Sequence, residues 1–131
     1  TLESRGLGDV YKRQYHVQGR DLEDKNRILS EAKQLETAGA EIILLECVPA
    51  SLAEEISSSL KIPTIGIGAG SATDGQIMVC YDAIGAYSWD DQPQPKFVKN
   101  FMNESNSIFE AFEKYVSEVK SLKFPSADHS F

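Results

Sequence analysis

One apolar run that ends in a carboxylate constrains this chain more than any other segment: Ile42-Ile43-Leu44-Leu45-Glu46-Cys47-Val48-Pro49. Four large aliphatic residues in succession suit a strand buried on both faces, as in a parallel sheet. Parallel α/β folds place their chemistry at the C-terminal ends of such strands, which is where Glu46 falls. Burial at that point would raise its proton affinity and fit it to take a proton from carbon. The competing reading is a strand-end carboxylate that meets only solvent or a helix N-terminus, and this segment alone does not separate the two.

The chain has 131 residues, of which 41% are hydrophobic and 25% charged, the composition of a single soluble globular domain. Its net charge of -7 argues against nucleic acid or an anionic membrane surface as partner, since both select basic patches. No apolar run approaches the roughly 20 residues needed to span a bilayer, and no secretory signal pattern opens the chain. Cys47 and Cys80 are too few and too far apart for a metal cluster or a disulfide framework and fit reduced thiols in a cytoplasmic protein. His16 and His129 lie at opposite ends, so no local histidine metal motif exists.

Residues 1–14 have no sustained period and resemble nothing downstream. They are expected to be a non-native leader, an adaptor or expression scar, with a genuine divergent N-terminal arm as the alternative. From Asp21 the pattern turns helical: Asp21 suits an N-cap, Glu23 and Asp24 favour the first turn, and Ile28, Ala32 and Leu35 recur at helical spacing up to Gly39. A strand over residues 42–46 follows, then a short helix from about Ser51 with Leu52, Ile56 and Leu60 on one face. Ile62-Pro63-Thr64-Ile65-Gly66-Ile67-Gly68 reads as a second strand with its proline at the beginning, and Ile77-Met78-Val79-Cys80 as a third. Two strands with a helix between them form a parallel βαβ unit; the third strand follows too closely for a full crossover helix. Beyond a polar loop at residues 88–95, one helical face is expected to carry Phe97, Val98 and Phe101, and a longer one Ile108, Phe112, Tyr115 and Val119, all read as core. Residues 123–131 read as an irregular tail. Three strands make a poor parallel sheet, so the chain reads as part of something larger.

Gly66-Ile67-Gly68-Ala69-Gly70-Ser71 fails the dinucleotide fingerprint, because Ser71 stands where the third glycine belongs, and it lacks the lysine of a phosphate-binding loop. Its glycines instead let the backbone turn sharply at a strand end or approach a ligand closely. Val48, Gly68 and Gly70 are therefore candidates for loops beside a substrate. Cys47 next to Glu46 invites a nucleophile reading, but period-two alternation points the two side chains apart, and Cys47 is read as a small buried residue.

Several motifs then occur in one order: Tyr15-His16-Val17-Gln18-Gly19-Arg20, Leu45-Glu46-Cys47-Val48-Pro49, Ile62-Pro63-Thr64-Ile65-Gly66-Ile67-Gly68-Ala69-Gly70, Thr73-Asp74-Gly75-Gln76, Pro95-Lys96-Phe97-Val98-Lys99-Asn100 and His129-Ser130-Phe131. Together they resemble the C-terminal half of the ketopantoate hydroxymethyltransferases, over residues 15–131. The resemblance implies a (β/α)8 barrel of the phosphoenolpyruvate and pyruvate enzyme type, to which this chain would contribute about strands six to eight and the closing helices. Such a barrel takes about 250 residues, so roughly half of one is expected to lie outside this chain.

The resemblance also implies a reaction. A proton leaves the carbon next to the carbonyl of 2-oxoisovalerate, and the enolate takes a one-carbon unit from 5,10-methylenetetrahydrofolate to give ketopantoate. Glu46 matches the family's general base. Mg²⁺ would hold the ketoacid, but no residue of this chain matches its ligands, so the chain by itself is expected to be inactive. The partners implied are a small ketoacid and a folate, and the complete protein is expected to form a homo-oligomer. Departures from the family pattern are Tyr81, where many relatives have His, and Asp128, where Glu is usual. The alternatives are another ketoacid lyase or decarboxylase on the same barrel, or a non-catalytic module that binds a partner through an exposed sheet edge.

Overall fold

The structure, a computed structural model, describes residues 16–89 and 93–131. The leader expected at residues 1–14 lies outside the described residues. Helix α1 (Leu22–Thr37) opens on Asp21, whose side chain accepts a hydrogen bond from Asp24 N at 2.8 Å. It ends just before Gly39, as its spacing predicted. Strand β1 (Ile43–Glu46) follows, then helix α2 (Ala50–Ser59) and strand β2 (Thr64–Ile67), which begins one residue after Pro63. Strand β3 is only Gly75–Gln76. The sheet order is β1-β2-β3 with both pairings parallel, and Leu44 lies beside Ile65, Glu46 beside Ile67.

The third strand falls earlier than residues 77–80, where the apolar run placed it. Polar side chains decide this. Asp74 Oδ2 accepts from Thr64 N at 2.8 Å and from Thr64 Oγ1 at 3.1 Å. Gln76 Nε2 donates to Gly70 O at 2.8 Å and to Thr73 Oγ1 at 2.9 Å. The Asp74 bonds hold the segment against β2 while those of Gln76 brace the turn before it, and the ladder then ends with Ile77 N donating to Gly66 O at 3.0 Å. Ile77 and Val79 stay exposed, and Cys80 starts the one-turn helix α3 (Cys80–Ala83).

The second departure is β1 itself. It is buried on one face only: Ile43 and Leu45 are buried, whereas Ile42 and Leu44 are 60% and 52% exposed. The covered face packs against Ala32 of α1 and against Leu52, Ala53 and Ile56 of α2, with Val48 and Ala69 closing the same cluster. The other face carries Leu44 and Glu46 of β1, beside Ile65 and Ile67 of β2, because residues in register on parallel strands point to the same side. A run of four aliphatic residues signals two buried faces; among the described residues, helices cover one.

A second core forms around Phe101. Its ring meets Tyr115 and Phe124 edge-on, each at 5.4 Å between centroids, within the favourable range for aromatic pairs. Met78, Ala83, Met102, Ala111, Phe112 and Val119 complete it. Residues 97–101 do not form the expected helix; Phe97 and Val98 enter a third cluster with Cys47, and Phe101 starts a 3-10 turn (Phe101–Glu104) capped by Asn100. Helix α4 (Ile108–Lys120) is capped by Ser107, which accepts from Glu110 N at 3.1 Å, while Glu110 Oε2 accepts from Asn106 N at 2.8 Å. Ala111 takes the buried position of α4, leaving Ile108 exposed, contrary to the expected stripe. The end of the chain is not an irregular tail: Phe124 is buried and Ala127–His129 form a 3-10 turn.

An apolar sheet face open to water drives association. The isolated chain is expected to sediment well above monomer mass, and Leu44→Lys, which places a charge at the centre of that face, to move it toward monomer. A wild-type chain that sediments as a monomer would contradict this.

Candidate functional site

Glu46 is the last residue of β1 and points to the exposed sheet face, in register with Ile67. The desolvated carboxylate expected from the apolar run is corrected on this point: Glu46 is exposed. What the described residues do provide is a rigid strand end. Cys47 N donates to Ile67 O at 2.9 Å, one rung beyond the last strand pair. The chain then turns at Cys47, whose φ of 51° is in the left-handed region that few non-glycine residues adopt. Gln18 N donates to Cys47 O at 2.9 Å, and Ala50 N donates to Phe131 O at 2.9 Å. The Cys47 side chain is buried, 3% exposed, as expected of it, but the left-handed turn and not strand alternation places it, in the cluster of Phe97, Val98 and Ile67.

Val48, Gly68 and Gly70 do not line an open surface. Val48 belongs to the core under the sheet, and Gly68 and Gly70 are both buried. Their φ values of 61° and 75° are the backbone turn that the glycine-rich loop suggested. A Cβ on Gly68 would sit 2.9 Å from Phe97 Cδ1, and one on Gly70 would sit 2.5 Å from Ala50 Cβ. The loop's glycines therefore serve close packing of the β2 end against the residues that follow β1. Tyr81, the departure from the family pattern, is exposed on α3.

Two elements around the strand end had no role assigned from sequence. The first is Gln18, which holds the residue after Glu46 through its main chain; the stretch before α1 is secured in turn by Asp24 Oδ2 accepting from Gly19 N at 2.6 Å. The second is the end of the chain, which bonds to the start of α2. Both lie in motifs that carried the resemblance, but a main-chain hydrogen bond leaves no mark of residue type, so neither contact could be read in advance.

Among the described residues, no group of three or more His, Cys, Asp or Glu side chains could hold a metal ion. The residues present do not fit a magnesium site. Among the same residues no helix is long and apolar enough to cross a membrane.

An all-parallel sheet with helices on one face, and a carboxylate on the other at a strand's C-terminal end, defines an α/β domain of the kind whose sites lie at strand ends. The family model described as ketopantoate hydroxymethyltransferase matches residues 10–127. The chain belongs to that family. Proteins named 3-methyl-2-oxobutanoate hydroxymethyltransferase from Shewanella sp. (strain ANA-3) and Chromobacterium violaceum are each 50% identical to it, and the one from Pseudomonas fluorescens (strain SBW25) is 51% identical. Each match covers 117 residues, 89% of this chain and 43% of the relative. The chain thus spans less than half the length of these relatives.

Two consequences can be measured on the chain as it stands. Gly70→Ala adds a left-handed alanine, about 1–2 kcal/mol, and a clash with Ala50 of about 1–3 kcal/mol. The loop should then be nicked faster by protease, and an unchanged nicking rate would argue against this packing. His129 is held below its usual 6.5 by burial first and by Lys99 and Lys96 next, against opposing pulls from Asp128 and Glu118. Protonating it therefore costs more in the folded than in the unfolded chain. The stability it confers is complete above pH 6.5 and is lost as pH falls through its folded value. The segment at residues 126–131 should become more protease-sensitive at pH 5 than at pH 8, with the difference removed in His129→Asn. An NMR titration of the His129 ring with a midpoint above 6.5 would reverse the sign.

Proposed function

We propose that this chain supplies the general base, Glu46, of a ketopantoate hydroxymethyltransferase. It would provide strands six to eight and the closing helices of a (β/α)8 barrel of the phosphoenolpyruvate and pyruvate type. On this reading the exposed sheet face is the barrel's interior wall. The observation that carries it is the placement of Glu46 at the C-terminal end of a parallel strand, on the face that no described helix covers. Active sites of such barrels lie at that end of the strands.

In the proposed reaction the Glu46 carboxylate removes a proton from the carbon next to the carbonyl of 2-oxoisovalerate. The C–H pair becomes an enolate, whose carbon bonds to the methylene carbon of 5,10-methylenetetrahydrofolate as one of its two C–N bonds breaks. Water replaces the second nitrogen, its oxygen becoming the product's hydroxyl, and the proton held by Glu46 and one from water go to the two freed nitrogens, leaving ketopantoate and tetrahydrofolate. Leu44, Ile65 and Ile67 share the open sheet face with Glu46, an aliphatic surface that suits the ketoacid's branched alkyl group. The complete protein, by the same resemblance, would be a homo-oligomer and a cytoplasmic enzyme. The magnesium that the family resemblance implies has no cluster of ligands among the described residues, and no step of this chain's chemistry is assigned to it.

The test uses the complete enzyme, with residues 16–131 joined to the N-terminal strands of the Shewanella sp. relative. Glu46→Gln keeps size and shape but cannot accept the proton. Ketoacid binding should persist, while deuterium exchange at the ketoacid carbon falls by about 10²–10⁴-fold, the usual range for loss of a general base. Exchange close to wild type would sink the assignment.

A further inference from the structure

The closing motif His129-Ser130-Phe131 has no part in the chemistry proposed for Glu46, yet it touches both loops that flank it. Phe131 O accepts from Ala50 N at 2.9 Å, four residues beyond Glu46. The Phe131 ring packs edge-on against Phe97 at 6.4 Å between centroids. Its Cε2 lies 3.3 Å from where a Cβ on Gly68 would stand. One side chain and one main-chain oxygen thus bridge the segment after β1 and the glycine loop after β2.

The segment is itself held in shape. Ser130 Oγ donates to Ser126 O at 2.7 Å, and Ser126 Oγ pairs with His129 Nδ1 at 2.8 Å. The His129 ring leans on Phe124 of the second core at 5.0 Å. Lys96 Nζ donates to Ser130 O and lies 5.8 Å over the Phe131 ring, a cation–π distance. These contacts tie the segment to the third cluster at Phe97 and to the second core, and through Ala50 to α2.

From this geometry we infer that residues 126–131 form a latch that fixes the two strand-end loops beside Glu46, with Phe131 as a positioning residue for the base. Phe131 touches no reacting atom. It acts by holding Ala50 and Gly68, which bracket the Glu46–Ile67 pair. The inference rests on the reading of Glu46 as base, since a latch matters to the reaction only if the carboxylate it steadies performs it. Removing the ring leaves Gly68 and Phe97 without one wall, and misplacement of a catalytic group by about 1 Å can cost about 10²-fold.

The complete enzyme described above carries Phe131→Ala, Phe131→Leu or Lys96→Met, beside Glu46→Gln as the reference for a lost base. Deuterium exchange at the ketoacid carbon is followed as kcat and KM, with exchange normalised to folded protein. Phe131→Ala should lower the exchange kcat by about 10-fold or more at a ketoacid KM within about threefold, and Phe131→Leu should recover most of it. A merely structural role would lower the amount of folded enzyme but not its kcat. If Glu46→Gln abolishes exchange while folded Phe131→Ala exchanges at the wild-type rate, the latch fails and the base stands. If Glu46→Gln exchanges normally, the base reading itself has failed. Should Phe131→Ala not fold, Lys96→Met reads the same quantity: a drop of about threefold or more in kcat at unchanged KM supports the latch, and no drop overturns it.

Discussion

The parallel pairing of β1 with β2 is the interaction on which the rest of the structure depends. Its register sets Leu44 beside Ile65 and Glu46 beside Ile67. The bond from Cys47 N to Ile67 O then ends the pairing and commits the chain to a left-handed turn. From that turn Val48 drops into the core and Pro49 starts α2. If β1 slipped by one residue, Glu46 would face the helices and Ile43 would face outward, since side chains alternate strictly along a strand. The aliphatic face against α1 and α2 opposes that slip, because it would bury the Glu46 carboxylate against Leu52 and Ile56 and turn Ile43 and Leu45 out to water.

The sheet is asymmetric in a way that matters for function. One face is dry and closed by helices. The other presents aliphatic side chains around a single carboxylate, and apolar surface of that kind marks a place that another body covers. A carboxylate on a wall of aliphatic residues would be poorly solvated once covered. The relatives, of which this chain matches 43%, suggest what would supply the cover.

A small charged cluster sits on the second core. Lys99 Nζ lies 2.8 Å from Glu118 Oε2 and 4.8 Å over the Phe101 ring. Burial first, and the same ammonium second, lower the proton affinity of His129, which rests against Phe124. Charge at the end of α4, aromatic packing in its core and the geometry of the closing segment are thereby linked through neighbouring side chains. None of these groups is adjacent in sequence; the link is made by the fold.

Much of the frame was legible in the residues. Helical spacing of Ile28, Ala32 and Leu35 located α1, proline placed the start of β2, and the failed fingerprint turned the glycine loop from a cofactor motif into a backbone turn. These readings depend on local periodicity and on the few residue types with special backbones, which act wherever they stand. The errors have a common physical origin. The apolar runs at residues 42–45 and 77–80 report how much a side chain avoids water, not which neighbour arrives to cover it. Leu44 is thus exposed here, and the third strand is set instead by Asp74 bonding sideways to Thr64 of β2 and by Gln76 bracing the turn at Gly70 and Thr73. Phe97 and Phe101 were read as one helical face and went to different clusters, because capping at Asn100 and contacts distant in sequence outweigh the spacing. By itself the sequence determined which segments could pair and which carboxylate ends a strand. Only the tertiary structure decided which sheet face stays open and how residues 126–131 reach back to Ala50. Hydrogen bonds between distant main-chain atoms depend on position in space and are indifferent to the side chains that a sequence records.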